Sequence, residues 1–335
     1  MQSTRTGEEW RFNSNGCTQG SNSVMYARLS QLVSQRIPTF FYSDFKGDIF
    51  HCYTLDTLSE HDIEFSFHGK RSHTNFPHTP QYNPLDFEKF NEKFNQVQEH
   101  IHAGNTYLLN LTQPTPIVTN NTLSEIYSMA HAPYKLRVGE RFVCFSPEAF
   151  ITIEDNRIHT YPMKGTIDAD IPDAIDKILN NPKELAEHTM IVDLLRNDLA
   201  IIANDICVEE FRYITTIETG NKRLHQVSSH ISGQLKKDWK ETIGEKIQAI
   251  LPAGSISGTP KKKTCELIEI IEGYERGYFS GIFGYFDGNN LYSAVSIRYI
   301  EQTENGLVYK SGGGITADST PQSEYQELLD KIYIP

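Results

Sequence analysis

The chain has 335 residues, of which 38% are hydrophobic and 22% charged, so it has the composition of an ordinary folded protein. This length allows a large core and, by the usual size of domains, two or three domains. Its 43 acidic and 31 basic residues give a formal net charge of -12, which argues against binding to nucleic acid or to anionic membranes. No stretch has the apolar length of a transmembrane helix or the pattern of a secretory signal, and we expect a cytoplasmic protein.

The first 84 residues carry few functional signals. Residues 23–35 are predicted to form a helix, and apolar segments at residues 38–42 and 49–53 are predicted to form strands of one sheet. Residues 72–84, rich in Pro, His, Thr and Asn, are predicted to form a connecting loop. We expect residues 1–84 to contribute strands to the same domain as the rest of the chain.

A clear helix and strand follow. Apolar residues three and four apart predict an amphipathic helix over residues 87–101 that ends at Gly104. Residues 106–112 alternate in polarity as a strand does, and Asn110 lies between two leucines. Asn110 is therefore either a ligand group that faces inward or a residue on a half-solvated sheet face.

Glu148 interrupts the next predicted strand, residues 142–153, within Ser146-Pro147-Glu148. Because Pro147 cannot donate to a sheet ladder, an edge or a bulge is expected there. A turn at residues 155–156 leads the chain back towards Lys164 as a hairpin. Glu148 could share a site with Lys164, or it could simply face solvent.

Lys164 lies in Tyr161-Pro-Met-Lys-Gly-Thr166, a short extended segment that ends in a turn. Pro162 fixes its own backbone angle and Gly165 allows a bend directly after the lysine, so the position of Lys164 is well defined. A lysine becomes a nucleophile or base when burial or a nearby cation keeps it neutral. These six residues alone favour the simpler alternative of a surface lysine beside a turn.

Two predicted helices each carry a pair of glutamates three residues apart. Glu184 and Glu187 share one face of the helix 183–199, and Glu324 and Glu327 share one face of the last helix with Lys331. Such pairs are usually solvated, but the apolar residues 190–195 indicate that the first helix is largely buried. If the four carboxylates converge, they suit Mg²⁺, which prefers oxygen ligands and binds only one or two carboxylates directly.

The region between these helices is predicted to be rich in strands. Residues 206–211 and 223–231 read as strands, the second of which carries His225, and residues 279–287, 291–299 and 307–311 read as an antiparallel meander. Arg298 lies on the middle strand of that meander, and the glycines 312–314 after it permit close approach of a ligand. The loop 253–261 lacks the glycine spacing of a phosphate-binding loop, although it can present backbone N–H groups to an anion.

Several motifs together resemble those of the chorismate-utilising enzymes, which include anthranilate, aminodeoxychorismate, isochorismate and salicylate synthases. The motifs are Glu184-x-x-Glu187-His188 continuing to Asp198, Gly254-Ser-Ile-Ser-Gly-Thr-Pro-Lys261, Gly312-Gly-Gly-Ile, and Glu324-Tyr-x-x-Glu327 with Lys331. The match runs in order from about residue 87 to residue 331. Residues 162–166 are similar to the form in aminodeoxychorismate synthase component I, in which lysine stands where anthranilate synthases have alanine.

The resemblance implies an α+β fold in which two large, mainly antiparallel β-sheets pack together with helices outside. It also implies that residues 85–335 form the chorismate-binding catalytic domain. Lys164 would be the nucleophile and Glu148 the general acid. Glu187 and Glu327 would bind Mg²⁺, and Glu184 and Glu324 would support it through water.

The same resemblance implies how chorismate is held. Arg298 and Tyr285 would bind the carboxylate of the enolpyruvyl arm together with backbone N–H groups of the three glycines, and the metal would bind the ring carboxylate. The remaining substrate-binding residues implied are Asn110, Thr166, His225, Gly312, Gly313, Gly314 and Lys331.

The expected reaction is amination of chorismate to 4-amino-4-deoxychorismate, a precursor of p-aminobenzoate and folate. None of the five cysteines lies in the Gly-x-Cys-x-Gly setting of a glutaminase nucleophile, so ammonia is expected from a separate glutaminase subunit. The main alternative is anthranilate synthase component I, which the presence of Lys164 argues against. Isochorismate or salicylate synthase would need a lysine at the position of Asn110, so the asparagine argues against that activity. A non-catalytic chorismate-binding subunit would lack some of the catalytic residues, whereas Glu148, Lys164, Glu187 and Glu327 are all present.

Overall fold

A computed structural model describes residues 22–69, 80–219 and 222–335. The α-helices in these ranges are α1 (Asn22–Ser34), α2 (Phe87–His102), α3 (Leu123–Met129), α4 (Ala174–Leu179), α5 (Pro182–Ile202), α6 (Ile243–Ile250), α7 (Lys261–Glu272) and α8 (Pro321–Asp330). None of the helices within the described ranges is long and apolar enough to cross a membrane.

The strands were largely anticipated in position but differ in length. They are β1 (Thr39–Ser43), β2 (Phe50–Thr54), β3 (Ile63–Phe67), β4 (Gln81–Tyr82), β5 (Leu108–Val118), β6 (Tyr134–Val138), β7 (Phe142–Ser146), β8 (Ala149–Glu154), β9 (Arg157–Thr160), β10 (Met163–Asp168), β11 (Asn204–Thr219), β12 (Lys222–Gln234), β13 (Gly258–Thr259), β14 (Ile282–Phe286), β15 (Leu291–Val295), β16 (Tyr299–Thr303) and β17 (Gly306–Ile315).

The strands form two antiparallel sheets. The first sheet has the order β10-β12-β9-β8-β15-β14-β1-β2, with β11 paired to β12. The second has the order β13-β5-β17-β16-β7-β6-β3, with β4 paired to β5. Together with the helices they make an α+β fold with two large antiparallel sheets, which confirms the predicted fold class.

One large hydrophobic cluster joins both sheets to the helices. It contains Leu109 of β5 and Ile231 of β12, and it includes buried residues of α1, α2, α5, α6, α7 and α8, such as Phe90 and Val192. Burial of this apolar surface is the main stabilising term of the fold. The site described below lies beside this cluster and takes residues from both sheets.

The N-terminal strands enter both sheets, not one as predicted. Strands β1 and β2 extend the first sheet beside β14, whereas β3 pairs with β6 and β4 pairs with β5 in the second sheet. Residues 72–79 of the predicted loop lie outside the described residues, and residues 81–82 form β4. Local patterns gave the strands but could not give their partners, because pairing joins residues far apart in sequence.

Two links carry the chain from one sheet into the other, side by side. The first joins β7 to β8 through Pro147 and Glu148, and the second joins β15 to β16 through residues 296–298. The backbone N–H of Val295 donates to the Glu148 carbonyl at 3.2 Å, and the N–H of Phe145 donates to the Arg298 carbonyl at 3.2 Å. The links therefore hold each other in place.

This arrangement corrects the predicted strand 291–299. Arg298 does not lie on a strand, because β15 ends at Val295 and Arg298 adopts a left-handed conformation with φ of 54°. β15 pairs with β8 and β16 pairs with β7, so both partners change sheet at the same place. The interruption predicted at Pro147 is likewise a change of sheet.

Candidate active site

A cavity of about 860 Å³ opens where the two links meet α5 and α8. Most of the predicted site residues line it, although they come from elements far apart in sequence. These residues are Asn110, Glu148, Lys164, Thr166, Glu184, Glu187, Arg298, Gly312, Gly314, Glu324, Glu327 and Lys331. The volume is within the range of small-molecule sites.

Lys164 is fixed at the edge of this cavity by a bulge in β10. The pairing of β10 with β12 shifts register between Met163 and Thr166, and a bulge re-aims side chains in this way. The imidazole of His188 on α5 contacts the Lys164 carbonyl at 3.1 Å through Nδ1 and the Ser229 hydroxyl at 2.7 Å through Nε2. The side chain of Lys164 is 24% exposed, so it is not the surface lysine that the local sequence favoured.

The amine of Lys164 is paired with a glutamate. Its Nζ lies 3.0 Å from Oε2 of Glu187, whose side chain is 8% exposed. Burial lowers the pKa of Lys164, but Glu187, Glu327 and Glu324 raise it more, so the net pKa lies above its usual value. The glutamates therefore favour the ammonium form of Lys164, whereas the predicted chemistry requires the free amine.

Helix α5 presents the first glutamate pair because of the way it begins. The side chain of Asn181 accepts a hydrogen bond from the N–H of Lys183 at 2.9 Å, and Pro182 follows as the first helical residue. Glu187 also accepts from the Thr316 hydroxyl at 3.3 Å. Glu184 has a buried Oε2 that lacks a hydrogen-bond partner among the described residues, so it can accept from a water or a cation.

Helix α8 presents the second pair against the glycine-rich strand β17. A Cβ atom on Gly313 would lie 3.2 Å from Oε1 of Glu327 and 3.5 Å from Oε2 of Glu324. Lys331 Nζ is 2.6 Å from Glu327 Oε1 and donates to the Gly312 carbonyl at 2.8 Å. Burial raises the pKa of Glu324 above its usual value. Burial also acts to raise the pKa of Glu327, but the nearby ammonium groups of Lys331 and Lys164 outweigh it, so the pKa of Glu327 is lowered.

The four glutamates face one cavity but are not packed as a closed metal site. Among the described residues, no three His, Cys, Asp or Glu side chains are grouped so that they could hold a metal ion directly. Mg²⁺ ordinarily binds one or two carboxylates and keeps several waters, and the unpartnered Oε2 of Glu184 is an oxygen of the required kind. The donor set therefore fits Mg²⁺ with water-mediated contacts, and the assignment of the ligands stays a prediction.

Glu148 lies in the link between the sheets and faces into the cavity. The Ser146 hydroxyl contacts its backbone N–H at 3.1 Å and its carbonyl at 3.2 Å, so the backbone is fixed. Burial raises the pKa of Glu148 above its usual value, against smaller opposing effects of Ser255, Lys331 and Arg298. A raised pKa favours the protonated carboxyl, which is the form that a general acid needs.

Arg298 is a half-buried cation, and its buried Nε has no hydrogen-bond partner among the described residues. Its guanidinium lies over the ring of Tyr333, 5.4 Å from the ring centroid. Its left-handed backbone directs it from the second link into the same cavity as Glu148. A guanidinium with a free N–H donor is suited to bind a carboxylate of a ligand.

Three of the predicted ligand residues are not among those that line the cavity: Gly313, which packs against Glu327 and Glu324, and the side chains of His225 and Tyr285. Leu224 and Gln226 line the cavity, and because side chains alternate along a strand, His225 between them faces away and contacts Thr216 at 3.0 Å. Tyr285 lies in an aromatic cluster, with its ring centroid 4.9 Å from that of Phe67 and 5.4 Å from that of Tyr292. Neither His225 nor Tyr285 is among the residues that line the cavity, because the facing of each strand depends on its register, and their substrate-binding roles stay predictions.

Several cavity residues were not identified from the sequence. They include Lys183, Gln226, Ser255, Phe279 and Ser280. Gln226 could have been found from strand alternation once its neighbours were assigned. Ser255 stood within a motif that was noted but given no role.

The comparisons with known proteins agree with this geometry. Residues 52–335 match the model of the chorismate binding enzyme family. The chain is 47% identical over 90% of its length to an uncharacterized PabA-like protein of Haemophilus influenzae, of which it covers 93%. It is 32% identical over 73% of its length to aminodeoxychorismate synthase component 1 of Escherichia coli, and it spans 56% of that protein.

Solved structures show the same fold. Anthranilate synthase component I of Streptococcus pneumoniae superposes with a TM-score of 0.64 at 24% identity, over 76% of this chain and 59% of that one. A putative 2,3-dihydroxybenzoate-specific isochorismate synthase of Bacillus anthracis superposes with a TM-score of 0.68 at 20% identity, over 92% and 86%. Because the family model matches residues 52–335, the chain belongs to the chorismate binding enzyme family, and its fold is the one that these solved structures have.

Proposed function

We propose that this enzyme converts chorismate and ammonia into 4-amino-4-deoxychorismate. The observation that carries the proposal is the position of Lys164, whose amine reaches into the cavity beside Glu187 while Glu148 lies in the same cavity. A nucleophile and a general acid are the two groups that this amination requires. The 32% identity to aminodeoxychorismate synthase component 1 supports it.

The reaction divides one difficult substitution into two. Lys164 attacks C2 of chorismate as a free amine, the ring double bond shifts, and the C4 hydroxyl leaves as water with the proton of Glu148. Ammonia then adds at C4, the double bond shifts back, and the lysine leaves C2 as a free amine, while the new C4 ammonium gives one proton back to Glu148. The sum is chorismate plus ammonia giving aminodeoxychorismate plus water.

The chain's charged residues would hold the substrate during these steps. Arg298, with its unpartnered Nε, would bind one carboxylate of chorismate. Magnesium, when held by Glu187 and Glu327, would supply the positive charge that binds the other. Since those same carboxylates raise the pKa of Lys164, its loss of a proton requires them to be engaged by another cation during turnover.

Ammonia would come from a separate glutaminase subunit, because no cysteine of this chain stands in a Gly-x-Cys-x-Gly motif. We expect free ammonium to replace that subunit at high concentration and alkaline pH, where more of it is NH₃. The product would serve p-aminobenzoate and folate synthesis, and this placement and a cytoplasmic location stay predictions.

The test is mass spectrometry of the products formed from chorismate, Mg²⁺ and ammonium. Wild type should form aminodeoxychorismate, and Lys164→Ala should lose this activity while keeping its fold. Lys183→Ala is a matched control, because Lys183 is a second lysine at the cavity, 3.7 Å from Glu187 Oε1, with no proposed covalent role. Anthranilate or isochorismate as the main wild-type product would overturn the proposal.

A further inference from the structure

Strands β10 and β12 form one wall of the cavity, and their pairing decides which side chains face it. Thr166 lies directly opposite Gln226, and Ile167 lies directly opposite His225. Opposite residues of an antiparallel pair share one face, and successive residues alternate between faces. Thr166 and Gln226 are among the residues that line the cavity, whereas Ile167 and His225 are not. The register therefore brings Gln226 to the wall where the sequence predicted His225.

The side-chain amide of Gln226 is available to a ligand. The residue is half-buried, and its side chain makes no hydrogen bond with any other part of the described chain. Its neighbour His225, by contrast, contacts the Thr216 hydroxyl at 3.0 Å. A primary amide has two N–H donors and one acceptor oxygen, so Gln226 can bind a polar group of a substrate.

Gln226 lies on the side of the cavity that carries the proposed nucleophile. Lys164 and Thr166 both line the cavity, because the bulge between Met163 and Thr166 changes the facing of β10. A Cβ atom on Gly165, between them, would lie 3.6 Å from Cγ2 of Val227, so the two strands pack closely here. The part of a substrate that meets Lys164 therefore lies along the wall that includes Gln226.

The chemistry of chorismate indicates which of its groups meets this wall. C2, the atom that Lys164 would attack, is bonded to C1, and C1 carries the ring carboxylate. A carboxylate has two oxygens with about four acceptor positions, so it can accept from an amide while a cation holds it elsewhere. Hydrogen bonds to an ionised acceptor are stronger than those between neutral groups.

We propose that Gln226 is a substrate-binding residue, and that its side-chain amide donates a hydrogen bond to the ring carboxylate of chorismate. This inference rests on the proposed attack of Lys164 at C2. The strand register presents a neutral donor at this wall and turns the titratable imidazole of His225 away from it. The contact is therefore made by a group that does not change its charge with pH.

The experiment measures the Kd of chorismate by calorimetry with Mg²⁺ and without ammonia, in a Lys164→Ala background that cannot form the covalent adduct. Gln226→Leu removes the donor at similar size and should raise Kd about tenfold, the order expected for a hydrogen bond to a charged group. Gln226→Glu keeps the shape but sets a carboxylate against a carboxylate, and it should raise Kd about a hundredfold. Equal melting temperatures without chorismate would show that these variants keep their fold.

The same replacement one residue earlier tests the strand register. His225→Leu should change Kd little, because His225 is not among the residues that line the cavity. A larger rise of Kd in His225→Leu than in Gln226→Leu would overturn the inference, since the imidazole would then be the group that binds.

Two further outcomes would also overturn it. An unchanged Kd in both Gln226 variants would mean that Gln226 contacts only solvent. Equal or tighter binding in Gln226→Glu together with weaker binding in Gln226→Leu would mean that the amide oxygen accepts from the substrate.

The proposed function is judged by a different measurement, the products of the wild-type protein. If wild type forms aminodeoxychorismate while the Gln226 variants keep the original Kd, the role of Gln226 is refuted and the proposed function stands. If wild type forms another product, the proposed function fails, whereas the expected order of Kd would still support the contact between Gln226 and a carboxylate of chorismate.

Discussion

Lys164 Nζ lies 3.0 Å from Glu187 Oε2, so the proposed nucleophile and a predicted magnesium ligand are joined in one ion pair. The pair lies in the cavity lined by both β-sheets. Its residues come from β10 and α5, and the third element, the acidic helix α8, comes much later in the sequence. This contact links the protonation of the lysine to whatever binds the glutamates. The predictions below follow from it and from its neighbours.

We expect Glu187→Gln to make Lys164 more reactive towards amine-acylating reagents in the metal-free protein. Burial lowers the pKa of Lys164 and Glu187 raises it, so loss of the carboxylate leaves a lower pKa and more free amine at a given pH. The rate of acylation at Lys164, followed by peptide mass spectrometry across pH, should rise at lower pH in the variant than in wild type. Acylation of Lys236, an exposed lysine outside the cavity, provides the reference rate. Equal pH dependence at Lys164 in the two proteins would contradict the pairing.

The same substitution should nevertheless abolish magnesium-dependent turnover. Glu187 is a predicted direct ligand, so activity should fall by about a hundredfold or more and should not recover with added Mg²⁺. Glu184→Gln, on the same helix face, should lose less because Glu184 is expected to act through water. Activity and magnesium dependence unchanged in Glu187→Gln would remove this residue from the ligand set.

Glu148→Gln should lower kcat by about 10² to 10⁴ with little change in KM, because a positioned general acid contributes in that range. It should also raise the melting temperature at neutral and alkaline pH. The folded-state pKa of Glu148 is raised by burial, so the folded protein loses stability as pH rises through that pKa, and glutamine resembles the protonated form. The gain should shrink at acidic pH, where both the folded and unfolded wild type are protonated. A melting temperature lower than wild type throughout would contradict the assignment.

Arg298→Lys should raise KM for chorismate by about tenfold, because lysine keeps the charge but cannot offer the planar array of N–H donors. Steady-state kinetics at saturating ammonium provide the measurement. Tyr333→Phe is the matched control, since it keeps the ring beneath the guanidinium and should change KM much less. A KM unchanged in Arg298→Lys would mean that another group binds the substrate carboxylate.

Gly313→Ala and Gly314→Ala form a pair that differs in what the new methyl group meets. At Gly313 it would lie 3.2 Å from Glu327 Oε1, whereas at Gly314 its nearest neighbour would be Leu108 at 3.8 Å. We expect Gly313→Ala to raise the magnesium concentration for half-maximal activity on the order of tenfold, and Gly314→Ala to change it little. Equal magnesium curves for the two variants would show that Glu327 does not bind the metal.

The sequence by itself determined the features that depend on near neighbours. The start of α5 followed from Asn181 and Pro182, since a side-chain cap and a proline in the first turn act within a few residues. The pairing of Glu184 with Glu187 on one helix face followed from helix geometry. The longer motifs, through the resemblance that they carry, also gave the α+β fold and the family.

Only the tertiary structure decided how these parts meet. Residues 291–299 have a continuous strand pattern, yet the chain leaves one sheet after Val295 and enters the other at Tyr299, because its partners β8 and β7 belong to different sheets. The same long-range pairing puts Arg298 beside Glu148 and directs His225 and Tyr285 away from the cavity. It also surrounds Lys164 with carboxylates, which reverse the lowering of its pKa that burial alone produces. Strand pairing and electrostatic interactions join residues distant in sequence, so no local pattern contains them.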